Sequence, residues 1–81
     1  NLVTLMVGAV SLAMIVVVIA VMVVELLNTA IEKLADRVTR EHDPLIGRVK
    51  DMGSAAVGLT MLIGGAVWLL AIWQRIAAML G

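Results

Sequence analysis

The sequence contains no cysteine, phenylalanine or tyrosine, and only one proline, in 81 residues. Without cysteine, disulfide bonds and thiolate metal sites are excluded. Hydrophobic residues nevertheless make up 63% of the chain. A water-soluble globule of this size has too little interior to bury so much apolar surface. The composition therefore indicates a protein whose natural solvent is the lipid bilayer.

Charge is almost absent outside residues 25–54, which hold all six acidic residues and five of the six basic ones. The formal net charge is zero, and acids and bases are interleaved. No basic patch of the kind that binds nucleic acid is present, so we expect no nucleic-acid partner. A short ionised segment between two apolar runs is instead the candidate functional surface.

The two apolar runs, residues 2–24 and 52–74, carry no charged residue. As a helix, each run is about 34 Å long, which is enough to cross a hydrocarbon core of roughly 30 Å. The sequence therefore predicts an all-α transmembrane helical hairpin, with residues 1–81 forming one integral-membrane domain. Five of the six basic residues lie in the segment between the spans. This bias predicts that residues 25–51 face the cytoplasm, where ATP is available.

The first helix is expected to continue beyond its span to about Arg40, because residues 25–40 are good helix formers with apolar residues three and four apart. Pro44 disfavours helical geometry at Asp43, so Asp43 is predicted to cap a second helix that begins at Pro44. Trp68 and Trp73 are expected near a membrane boundary.

Pairs of small residues four apart in the second run predict close contact with a neighbouring helix, within the hairpin or in another copy. These pairs are Ser54 with Gly58 and Thr60 with Gly64.

Glu25, Asn28, Glu32 and Asp36 are spaced three, four and four residues apart, so they are predicted to form one polar stripe along the first helix. A carboxylate at the membrane edge is costly to ionise, and this makes Glu25 a candidate general base. The alternative is that the Glu25 side chain simply extends to the water at the membrane surface, or that it pairs with Lys50 across the hairpin. Glu32 and Asp36 are suited to Mg²⁺, which prefers oxygen ligands, or they belong to a solvated, salt-bridged face.

Lys50 and Asp51 lie at the start of the second span, where they are expected to face the stripe. A lysine in this position is suited to binding a phosphate. The chain has no glycine-rich phosphate loop, protein-kinase signature or zinc-protease motif. Any chemistry with ATP would therefore use a different arrangement of residues.

The segments ELLNTAIEKLADRV, EHDPL and GRVKDMGSAAV resemble the core of the small integral-membrane diacylglycerol kinases of bacteria and the related undecaprenol kinases of Gram-positive organisms. The resemblance spans roughly residues 20–57. It implies a homotrimeric membrane enzyme that transfers the γ-phosphoryl group of MgATP to a lipid hydroxyl. GRVKDMGSAAV is more similar to the diacylglycerol kinases, and ELLNTAIE and HDPL to the Gram-positive type. Diacylglycerol is the favoured substrate.

The resemblance also implies a role for each matching residue. Glu25 would be the general base and Glu32 the ligand of the metal that bridges to ATP. The remaining matches would support nucleotide and phosphate binding: Asn28, Asp36, Lys50 and Asp51. In that family a surface helix and a further transmembrane helix come first and bring another glutamate to the metal. We therefore expect a fragment or a shortened relative with an incomplete metal site.

Two other classes compete with this interpretation. The ring subunit of rotary ATP synthases is also a short hairpin, but it needs a carboxylate in the middle of a span, and both spans here are uncharged. A non-catalytic hairpin that only anchors or assembles partners would tolerate Glu25→Gln. A kinase would lose phosphoryl transfer and keep its fold.

Overall fold

A computed structural model describes residues 1–81 as two antiparallel α-helices joined by a short turn. Helix α1 is Leu2–Val38 and helix α2 is Pro44–Leu80. Each helix has 37 residues. The molecule measures 58 × 18 × 13 Å, so it is a single long hairpin. The predicted all-α hairpin is confirmed.

Helix α1 ends at Val38, two residues before the predicted end at Arg40. Thr39 is the C-cap, with an extended backbone at φ −160° and ψ 143°, and its N–H still donates to the Ala35 carbonyl. The Thr39 hydroxyl accepts a hydrogen bond from the Glu41 N–H at 3.1 Å. This side-chain bond offers the backbone an alternative to another helical turn, so α1 stops here. Arg37 lies in the last turn, as predicted, and Arg40 lies beyond it.

Helix α2 begins as predicted, with Asp43 as N-cap and Pro44 in the first turn. The Asp43 carboxylate accepts hydrogen bonds from the Leu45 N–H at 2.9 Å and from the Ile46 N–H at 3.2 Å. These bonds satisfy two backbone donors that have no partner inside the helix. Proline needs no such partner, and its fixed φ suits the first turn. The turn is therefore short and its end is well defined.

The two helices pack along one seam that repeats every seven residues in both of them. The seam positions are half-buried or buried and alternate in steps of four and three. In α1 they are Val10, Met14, Val17, Val21, Val24, Asn28, Ile31 and Ala35. In α2 they are Ile46, Lys50, Gly53, Val57, Thr60, Gly64, Val67 and Ala71. A seven-residue repeat is typical of left-handed packing between membrane helices.

Small residues allow this close packing. Gly64 is buried, and a Cβ atom at this position would lie 3.6 Å from Val21 Cγ2 and 3.8 Å from Val17 Cβ. The Thr60 and Gly64 pair is therefore used within the hairpin. Ser54 and Gly58 are exposed, and a Cβ at Gly58 would meet nothing within 4 Å. This second pair remains open to a neighbouring molecule.

Almost all of the apolar surface faces outward, since only four of the 81 residues are buried. Both helices are long and apolar enough to cross a membrane, with mean hydropathies of 3.0 and 2.2 in their most apolar windows. The chain is a membrane protein. Both helices run unbroken through the predicted ends of the spans at residues 24 and 52, so those ends stay predictions.

The Trp68 side chain reaches across to helix α1, and its place at a membrane boundary stays a prediction. Its indole N–H donates to the Met14 carbonyl at 3.3 Å. Met14 is in the middle of the uncharged run of α1. The polar group of the tryptophan is therefore satisfied by the neighbouring helix and does not need the interface. Trp73 remains exposed.

Candidate functional site

Three carboxylates of α1 lie along the side of the helix next to the seam: Glu25, Glu32 and Asp36. All three residues are exposed. They are spaced seven and four residues apart, so they recur near one side of a helix with 3.6 residues per turn. We call these three residues the acidic stripe. Their placement on one side of the helix agrees with the prediction, and their role in a site stays a prediction.

Lys50 of α2 reaches the acidic stripe at Asp36. The Lys50 Nζ atom lies 2.5 Å from Asp36 Oδ1. This hydrogen bond and the lysine charge lower the pKa of the Asp36 carboxyl below its ordinary value. The two side chains remain 40% and 49% exposed, so solvent screens the pair and its net stabilisation is small. The alternative pairing of Lys50 with Glu25 is not formed.

Asn28 does not lie in line with the acidic stripe but in the seam, facing α2. Its side chain packs against Gly53, and its Nδ2 donates to Glu32 Oε1 at 3.2 Å. The other amide atom, Oδ1, is buried and has no hydrogen-bond partner. The predicted stripe of four is therefore three carboxylates with an amide beside them. The reason is that the seam, which depends on α2, decides which side of α1 is covered.

Glu25 lies beside an uncharged part of α2. Asn28 is level with Gly53 and Val21 with Gly64, so Glu25 is roughly level with Val57. Val57 lies inside the uncharged run of residues 52–74. No ion pair or hydrogen bond holds the Glu25 carboxylate within the hairpin. This carboxylate is thus free to meet another molecule at the edge of the apolar region.

Asp51 is exposed and forms no ion pair or hydrogen bond with the other five predicted site residues. It follows Lys50 directly, so its side chain is turned about 100° around the helix from that lysine. The structure therefore forms two pairs, Asn28 with Glu32 and Asp36 with Lys50. It leaves Asp51 apart, and Glu25 lies two turns, about 10 Å, from Glu32 along the helix axis.

The donor set for a metal ion is small. No three histidine, aspartate or glutamate side chains lie close enough to hold a metal between them. Glu32 offers an exposed carboxylate with one oxygen bonded to the Asn28 amide. This fits Mg²⁺, which is often bound through one or two carboxylates and the phosphates of a substrate. It does not fit a metal centre built only from these 81 residues.

Gly53 is the residue of the site that sequence analysis missed. It is buried in the seam, and it forms the surface against which the Asn28 amide packs. The available signal was the seven-residue repeat shared by both helices, in which Asn28 and Gly53 are both seam positions. A glycine opposite a polar seam residue indicates close approach of that side chain to the backbone.

Known proteins of one family match most of this chain. The prokaryotic diacylglycerol kinase family matches residues 2–72. The diacylglycerol kinase of Escherichia coli K12 is 45% identical over 58 residues, which are 72% of this chain and 48% of that protein. That of Haemophilus influenzae is 49% identical over 51 residues, 63% of this chain and 43% of that protein.

A third relative, the diacylglycerol kinase of Pseudomonas aeruginosa, is 46% identical over 55 residues, 68% of this chain and 45% of that protein. The chain thus spans about half the length of the curated relatives that it matches. The family match covers far more than half of the chain. The chain therefore belongs to the prokaryotic diacylglycerol kinase family.

Proposed function

We propose that this chain forms the catalytic core of a lipid kinase that transfers the γ-phosphoryl group of ATP to the hydroxyl of diacylglycerol, giving phosphatidic acid. The observation that carries the proposal is the placement of the acidic stripe, Asn28 and Lys50 on one side of a membrane hairpin. The carboxylates lie at the edge of an apolar region, and the lysine faces them from the other helix. This arrangement suits a reaction between a lipid in the membrane and a charged nucleotide. Catalysis of this kind is mostly positioning and charge neutralisation.

Glu25 is assigned the role of general base. The carboxylate takes the proton of the lipid hydroxyl while that oxygen forms a bond to the γ-phosphorus. The bond from the γ-phosphorus to the β–γ bridging oxygen breaks, and ADP leaves with that oxygen. The position of Glu25 beside uncharged α2 residues supports this role, because the hydroxyl of a membrane lipid lies at the same boundary. Its exposed carboxylate has no competing partner in the hairpin.

Glu32 is assigned the role of metal ligand, and the Asn28 amide holds the Glu32 carboxylate in place. Mg²⁺, when bound, neutralises charge on the nucleotide phosphates. The Asn28 amide fixes one carboxylate oxygen and leaves the other for the ion. The Lys50 ammonium group has three N–H donors, and one of them bonds to Asp36. The other two remain for phosphate oxygens. Asp36 thereby positions Lys50, and Asp51 is proposed to support nucleotide binding from the adjacent position.

The proposed location is the bacterial inner membrane, with residues 25–51 in the cytoplasm. The support is the bias of basic residues, of which five lie between residues 25 and 51. A homotrimer is proposed from the family resemblance. The support from the fold is the large outward apolar surface and the open Ser54 and Gly58 strip, which another helix could approach closely.

Diacylglycerol is the proposed lipid because the relatives of E. coli, H. influenzae and P. aeruginosa are diacylglycerol kinases. Undecaprenol is a second candidate, favoured by the similarity of ELLNTAIE and the HDPL turn to the Gram-positive type. The two lipids place a hydroxyl at the same boundary, so the residues of the site do not distinguish them.

The test is ATP-dependent phosphorylation in mixed micelles containing Mg²⁺, with diacylglycerol and undecaprenol offered separately. Two proteins are assayed: this chain, and this chain joined to the part of the E. coli relative that it does not match. We expect labelled phosphatidic acid from the joined protein. If both proteins are folded and neither labels diacylglycerol, the proposal is refuted. If undecaprenol alone is labelled, undecaprenol takes the place of diacylglycerol as the substrate.

A further inference from the structure

Gly53 is one of two buried glycines in the seam, and the two have different surroundings. A Cβ atom at Gly64 would meet two valines at 3.6 Å or more, which is ordinary van der Waals contact. A Cβ atom at Gly53 would overlap the Asn28 Oδ1 atom and lie 3.3 Å from Asn28 Cγ. Gly53 is therefore required by a polar side chain, whereas Gly64 lies only against apolar groups.

The contact fixes the direction of the Asn28 amide. The α-hydrogen of Gly53 that takes the place of a Cβ points at Oδ1, an arrangement found repeatedly as a weak C–H···O contact between helices. With Oδ1 on Gly53, the Nδ2 group of the same planar amide points to Glu32 Oε1 at 3.2 Å. The glycine backbone and the Glu32 carboxylate thus lie at the two ends of one amide.

We propose that Gly53 is a positioning residue for the phosphoryl-transfer site, acting through Asn28 on the Glu32 carboxylate. The inference rests on the proposed function for its catalytic consequence, and on the contacts alone for its structural part. Without a side chain at position 53, Asn28 stays between the helices and holds Glu32 in one orientation. Any larger residue moves the amide away from Glu32.

The expected response to Gly53→Ala is a local rotation, not separation of the helices. The overlapping atom belongs to the end of a side chain, which moves at less cost than backbone. In a helix, asparagine avoids the χ1 rotamer that clashes with the preceding turn. The displaced Asn28 amide therefore has few other rotamers available. One turn earlier, the Lys50 and Asp36 pair still joins the helices. Its survival distinguishes a rotated side chain from a shifted helix.

The structural test is nuclear magnetic resonance of the Asn28 side-chain amide in detergent micelles. In the natural sequence, Glu32→Gln should shift this signal, because the amide donates to the Glu32 carboxylate. In Gly53→Ala, the signal should move and should no longer respond to Glu32→Gln. Gly64→Ala is the matched control, buried in the same seam, and should leave the signal in place. An Asn28 signal that is unchanged in Gly53→Ala would overturn the proposal.

The functional test measures turnover against MgATP concentration in the joined protein described above. Gly53→Ala should raise the KM for MgATP by roughly 10–100-fold, the usual effect of losing a group that orients a metal ligand. In an Asn28→Ala background the same substitution should cost nothing further, because the side chain that it displaces is gone. If the increases in KM caused by the two single substitutions instead multiply in the double variant, the proposal is overturned.

If Gly53→Ala fails to fold, the Gly53→Ala, Asn28→Ala double variant should fold, since the overlap is removed, and its failure to do so would overturn the proposal. If the joined protein without substitutions is folded and shows no turnover, the proposed function fails, and the amide signal still decides whether Gly53 positions Asn28.

Discussion

The seam between the helices predicts where a disulfide bond will form in a chain that naturally has none. Substituting Val17→Cys and Gly64→Cys places two thiols on carbons that lie 3.8 Å apart, as judged from a Cβ built at Gly64. Disulfides have Cβ separations of about 3.5–4.5 Å, with a mean near 3.8 Å. We therefore expect rapid oxidation within one molecule. Closing the chain between residues 17 and 64 is worth about 4 kcal/mol by the chain-entropy estimate. This is an upper value, because separated helices in lipid remain helical and lose less freedom.

The assay is trypsin cleavage in detergent followed by electrophoresis without reductant. Arg40 lies in the turn, so cleavage there separates α1 from α2 unless a disulfide joins them. The control pairs Val17→Cys with Gly65→Cys, where a Cβ meets nothing within 4 Å. Equal cross-linking of the two cysteine pairs would refute the register between α1 and α2. Disulfides that form only between separate molecules, in amounts that increase with protein concentration, would refute it as well. No native cysteine competes for either thiol.

Three further predictions concern single side chains. Glu25→Gln should reduce kcat by roughly 10²–10⁴-fold with the KM for MgATP and the melting temperature unchanged, since the carboxylate holds nothing in the hairpin; an unchanged kcat would remove Glu25 as the base. The lowered pKa of Asp36 means that its pair with Lys50 stabilises the fold above about pH 4 and is lost as the pH falls through the folded pKa. Lys50→Met should raise the Asp36 pKa, measured by carbon-13 titration, and abolish that acid dependence; an unmoved pKa would contradict the pairing. Asp43→Ala should cost about 1 kcal/mol in unfolding free energy and Asp43→Asn much less, and equal losses would argue against capping.

The helices could be predicted closely because their signals are local. Two runs without charge predicted two long helices, and the Asp43-Pro44 pair predicted the start of α2 to the residue. The end of α1 was placed two residues too late. The cause is the Thr39 hydroxyl, which bonds the Glu41 N–H and turns the backbone out of the helix. Helix propensity alone does not register such a bond.

The site could be predicted only in part because half of it depends on the register between the helices. Spacing along α1 correctly placed Glu25, Glu32 and Asp36 on one side. It could not show that Lys50 meets Asp36 and not Glu25, since that is set by which residues of α2 come level with them. For the same reason, spacing could not show that Asn28 lies in the seam and not in the stripe.

Helix α1 is unbroken from Leu2 to Val38 and about 55 Å long, so the candidate site and the membrane anchor are parts of one rigid rod. The height of the Glu25 carboxylate above the bilayer centre is therefore set by how residues 2–24 settle in the lipid. A change of bilayer thickness or helix tilt moves that carboxylate relative to the lipid headgroups, by 1.5 Å for every residue that is drawn in or pushed out. Under the proposed function, the length of the surrounding acyl chains is therefore expected to affect the rate of phosphoryl transfer.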